Sequence, residues 1–149
     1  VERFKFRLER LLSLKRSYER MKMEEINVVK GEISRIEDEK RKKIIEMIEE
    51  EGKFRRDMNQ VHMILHRLRY IGDLKDNVDE LEMRRRKMEE ILEEKVREFL
   101  ELQREKKIYE RLKERKYREY VLRFEREAMN FLDDISLRKH HFTSNEGER

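Results

Sequence analysis

His62 and His66 stand one helical turn apart, a spacing that lets two imidazoles reach one metal ion from a single helix face. The residues between them are Met63, Ile64 and Leu65, so the Glu that a zinc-protease helix carries beside its first His is missing. There is no Cys, and spacing suggests no third ligand, so these are expected to be two solvated helix histidines. His140 and His141 add nothing to a ligand set. Glu49-Glu50-Glu51 and Asp133-Asp134 offer neighbouring carboxylates for acid–base work, but catalytic carboxylates need a pocket that shifts their pKa values. Gly31, Gly52, Gly72 and Gly147 are scattered, and none opens a phosphate-cradling GxxxxGK loop. The expectation is a chain that is not an enzyme, with no catalytic residue, no metal and no cofactor.

Side chains act only where elements hold them, and the apolar residues indicate which elements. They recur at steps of three and four: Phe4, Leu8 and Leu11, with Leu12 and Leu14 widening the stripe, then Ile26, Val29, Ile33 and Ile36. A second seam runs Ile44, Met47, Glu51, Phe54, Met58, Val61, Leu65 and Leu68. The step from Ile36 to Ile44 passes Lys40 and exceeds a heptad by one residue, which locally relaxes a supercoil. Leu74, Val78, Leu81, Met88, Leu92, Phe99, Leu102 and Tyr109 then keep heptad phase, with Arg85, Lys95 and Lys106 filling seam positions. A late seam follows through Tyr117, Val121, Phe124, Ala128, Phe131 and Ile135. Residues so spaced share one helix face. Met47, Met58 and Met88 lie on seams and are read as core filling, as are Phe124 and Phe131. Tyr120 lies off the late seam and is the candidate exposed contact.

Composition agrees with long helices rather than a globule. Half of the 149 residues are charged, 36% are hydrophobic, and Pro, Trp and Cys are absent. High charge also suits disorder, but regular apolar spacing argues against it for most of the chain. No stretch approaches the roughly 20 apolar residues of a membrane span. The N-terminal run is too charged for a signal peptide, so the expected location is cytoplasmic. The net charge of +4 hides alternating blocks: residues 1–22 carry +5, 24–51 carry −4, 52–72 carry +4, 73–101 carry −4 and 103–126 carry +5. Acidic blocks of this kind do not suit a nucleic-acid binder, which gathers its positive charge on one face.

The expected fold is all-α, a long antiparallel two-helix coiled-coil hairpin in which each seam buries against the other. Gly52 and Gly72 are the candidate turns, since Gly ends helices at little cost. The seam from Ile44 to Leu68 passes Gly52 in phase, so local pattern favours Gly72. Apolar periodicity stops near Lys139, and residues 139–149 are expected to fray.

The ends of the chain, FKFRLERLLSLK and REKKIYERLKERKYREYVLRFEREAMNFLDDISLRK, resemble the FliJ family of flagellar export proteins. The resemblance spreads over the whole chain and is carried by Phe6-Arg7-Leu8 with Leu11-Leu12, Tyr109-Glu110 with Leu112, and Asp133-Asp134. Asp134 departs conservatively from the family's Asp-Glu. The resemblance implies a component of the type III export apparatus, similar to the central stalk of rotary ATPases. Such a protein would bind the hexameric export ATPase, the export gate membrane protein and substrate chaperones, and associate peripherally with the inner membrane at the flagellar base. The family's short first helix, and the likeness of Tyr70–Leu74 to its early second helix, imply a turn at 52–58. Helix 1 is then expected over about 3–51 and helix 2 over about 59–138. The ring would be met by the basic ends, through Arg111, Lys113, Arg115, Arg118 and Tyr120, and the gate by Tyr70 and Leu74. A monomer is expected in isolation. The alternatives are the equivalent stalk of a virulence secretion system and a structural coiled-coil scaffold.

Overall fold

A computed structural model describes residues 2–56 and 60–147. Two long helices account for nearly all of them, α1 over Glu9–Arg56 and α2 over Val61–Glu146, and they pair as a hairpin. The chain forms two compact units, Ser17–Leu102 and Val1–Arg16 with Gln103–Arg149.

In the Ser17–Leu102 unit the fully buried residues are few and apolar: Ile26, Val29, Ile36, Leu74 and Leu81. Between them the seam is filled by half-buried cations whose stems cover the core while their charges reach carboxylates on the facing helix. Lys22 Nζ lies 2.5 Å from Glu98, Lys95 Nζ donates to Glu25 at 3.0 Å, and Lys40 Nζ donates to Glu82 at 2.6 Å. Arg67 donates to Glu50 at 3.1 Å nearer the loop. As the α1 partner's number rises, the α2 partner's falls, so the helices run antiparallel. Lys40, where the sequence breaks heptad spacing, is thus a seam residue with a partner across the pair.

In the other unit Leu12 is wholly buried, and the same ionic stitching recurs. Lys15 bonds Glu105, Arg16 Nη2 lies 3.6 Å from Glu110, and Lys113 Nζ lies 2.8 Å from Glu9. The seam of α2 from Leu74 to Tyr109 is the one expected, Arg85, Lys95 and Lys106 included.

The element bounds depart from expectation in three places. Helix α1 starts at Glu9 rather than near residue 3. Arg3, Lys5 and Arg7 would place three cations at the positive end of a helix dipole, whereas Glu9 in the first turn complements it. At its other end α1 continues through Gly52 to Arg56 instead of stopping near 51, its last turn carrying Lys53, Arg55 and Arg56 on the negative dipole end. The expected turn at 52–58 therefore narrows at its start, and Asp57 and Met58 lie outside the described residues. Gly72, the turn favoured by local pattern, is inside α2. Third, residues 139–146, expected to fray, belong to α2. No Pro interrupts them, and each added residue extends a helix already nucleated; the Thr143 and Ser144 hydroxyls donate back to the Lys139 and His140 carbonyls without ending it.

Candidate functional site

Two surfaces answer to the residues singled out by sequence, one in each unit. The first is built where residues 2–16 lie along α2. Phe4, in the extended segment before α1, sets its ring edge-on to Tyr117 at 5.3 Å and tilted against Tyr120 at 5.5 Å. The Tyr120 hydroxyl donates to the Glu2 carbonyl at 2.9 Å. Tyr120 is therefore half-buried and fastens the N-terminal segment, and is not the exposed contact expected of it. The heptad itself held the signal: counting sevens from Leu92 through Phe99, Lys106 and Lys113 arrives at Tyr120. Lys113 is likewise committed to Glu9.

Arg111, Arg115 and Arg118 are exposed, with Arg115 and Arg118 in loose intrahelical pairs with Glu119 and Glu114. Glu119 is drawn below the ordinary carboxylate range chiefly by its hydrogen bond from Lys116. Arg3, Lys5, Arg7 and Arg10 are exposed on the same unit, so cations from both ends of the chain gather here.

Beyond Tyr120 the expected late seam loses its partner. Val121 is half-buried, and from Leu122 to Ser144 every residue is exposed. Phe124 and Phe131, read from sequence as core, lie in the solvent, Phe131 at 65% exposure. Ile135 and Phe142 extend the same heptad stripe, Phe142 at 77%. The periodicity continues, but no helix among the described residues covers it. A long, bare apolar helix face therefore lies in the same unit as the exposed arginines.

The second surface lies where α1 ends and α2 begins. Leu74, expected to touch a partner, is 2% exposed and packs in the core, so it is unavailable unless the helices part. Tyr70 is at the margin of exposure, and its hydroxyl donates to Glu46, which raises the phenol's pKa. Glu50, Met63, His66, Arg67 and Tyr70 line an open cleft beside it. His62 and His66 are both exposed on α2. Among the described residues no group of three or more His, Asp or Glu converges as a metal site, and no helix is long and apolar enough to cross a membrane.

No protein-family model, curated protein or solved structure matches this chain.

Proposed function

We propose that this chain is a stalk-like component of the flagellar type III export apparatus that binds the hexameric export ATPase through its terminal unit. The observation that carries the reading is the bare helix of residues 122–144, whose apolar stripe continues a coiled-coil seam that no other described residues cover. A ring with an apolar bore and an acidic collar would cover that stripe and meet Arg111, Arg115 and Arg118. The unequal helices and the resemblance of both chain ends to the FliJ family support the same reading. The export gate would be met near Tyr70, with substrate chaperones as further partners. The protein would then work in the cytoplasm at the inner membrane.

A pull-down with the export ATPase at matched salt tests it. Phe124→Ser, Phe131→Ser and Ile135→Ser together should abolish capture, with little change in circular dichroism because all three are already in solvent. Arg111→Glu, Arg115→Glu and Arg118→Glu together should slow association at low salt through loss of the summed field. Lys113 is spared in that set because of its bond to Glu9. Capture undiminished by either set would end the proposal.

The same bare heptad stripe favours one other reading, a scaffold that pairs with a second copy. Sedimentation separates the two: the stalk reading expects a monomer, the scaffold a stable dimer.

A further inference from the structure

The first turns of α2, next to the Tyr70 position proposed for the export gate, carry an apolar face that neither the ring contact nor Tyr70 itself accounts for. Val61, Leu65 and Leu68 recur at helical spacing and share one face, and all are exposed, Val61 at 73% and Leu65 at 63%. This face flanks the core side of the helix, which Ile64, Ile71 and Leu74 occupy. Arg69 is exposed beside the stripe, and Lys53, Arg55 and Arg56 are exposed on the closing turns of α1. The patch has definite edges: Glu49 and Glu51 precede it on α1, and Asp73 and Asp76 follow it on α2. Aliphatic side chains left in water beside a confined set of cations form the surface by which a helix lies on a charged interface.

We propose that this end of the hairpin docks on an anionic lipid bilayer. Val61, Leu65 and Leu68 enter the headgroup–acyl boundary, while Lys53, Arg55, Arg56 and Arg69 meet the lipid charges. The stripe from Val61 to Leu68 runs about 10 Å along the helix at 1.5 Å rise per residue, so about two turns of α2 would lie in the boundary. Charge complementarity selects the occupant: residues 52–72 carry +4 between blocks of −4 on either side, so only this part of the unit is drawn to an anionic surface. The apolar groups select lipid over nucleic acid, since single strands are held by aromatic planes on which bases stack. The patch offers branched aliphatics, and its tyrosine, Tyr70, is engaged with Glu46. Each cation near such a membrane strengthens binding by about fivefold, and four together by several hundredfold. The inference goes beyond the export reading, which names only protein partners at this end; it concerns the isolated chain and a lipid surface, so its failure leaves that reading standing.

Flotation of the full chain with vesicles tests it, comparing phosphatidylcholine alone with phosphatidylcholine containing phosphatidylglycerol. Binding is expected to the anionic vesicles only, and to weaken steeply as salt rises. Lys53→Gln, Arg55→Gln, Arg56→Gln and Arg69→Gln together should reduce it at least a hundredfold, with helicity preserved as these side chains are exposed. The chain has no Trp, so Leu65→Trp supplies a single fluorophore. Its emission should shift to the blue on anionic vesicles, whereas Met83→Trp, at a position exposed on α2 outside the patch, should not shift. No flotation, equal flotation with neutral vesicles, or undiminished flotation of the glutamine variant would overturn the proposal. So would tighter binding to a single-stranded oligonucleotide than to the anionic vesicles.

Discussion

Glu82 is held by Arg85 on its own helix and by Lys40 from the facing one, and these hydrogen bonds push its carboxyl down to about 2. A carboxyl lowered in the folded state contributes stability above its ordinary pKa and loses that contribution as pH falls through the folded value. The melting temperature should therefore fall between about pH 4.5 and pH 2, and Glu82→Gln should flatten that acid limb; a limb of unchanged steepness would assign the acid loss to other carboxylates. Leu74 works in the opposite way, by exclusion of water. Leu74→Ala should destabilise the fold by about 2–5 kcal/mol in urea titration, whereas Tyr70→Phe, losing one bond at an exposed site, should change stability by less than about 1 kcal/mol. If the two variants proved equal, Leu74 would not be the core residue its burial indicates.

At the scale of elements, both helices run through glycines that could have ended them. A Cβ placed on Gly31 or Gly72 would meet nothing within 4 Å. Gly31→Ala and Gly72→Ala should each stabilise by roughly 0.5–1 kcal/mol, read as a higher melting temperature with unchanged helicity. The helices, the antiparallel pairing and the α2 seam from Leu74 to Tyr109 were legible in the sequence, because heptad spacing determines which face is buried. What spacing does not encode is how far the facing segment reaches along α2. Phe124, Phe131 and Ile135 have the periodicity of core residues, yet the N-terminal segment covers α2 only as far as Tyr120. Gly72 misled for a related reason: a lone glycine costs a helix little when Ile71 and Leu74 beside it are packed. Val61, Leu65 and Leu68 have seam spacing too, and only their exposure separates them from core residues.

For the whole molecule, the scarcity of buried apolar residues makes ionic pairing across the helices a larger share of the stabilisation than in a globular domain. Such pairs are individually weak, but salt weakens all of them together. The melting temperature should fall as potassium chloride rises toward roughly 1 M, where screening acts within about 3 Å; a rise would show that relief of repulsion among the basic ends dominates. The pairs also differ in how much chain each must close. Arg67 and Glu50 are 17 residues apart, Lys40 and Glu82 are 42 apart, and Tyr120 and Glu2 are 118 apart. Closing a loop costs more entropy as it lengthens, and much less once shorter loops inside it have closed. Folding is therefore expected to proceed as a zipper from the pairs nearest the loop, with the clasp of Phe4 on Tyr117 and Tyr120 made last and released first. Phe4→Ala should accelerate unfolding and leave the refolding rate almost untouched, while Leu74→Ala should slow refolding. On that expectation the N-terminal segment would act as a latch, opening while the rest of the pairing holds.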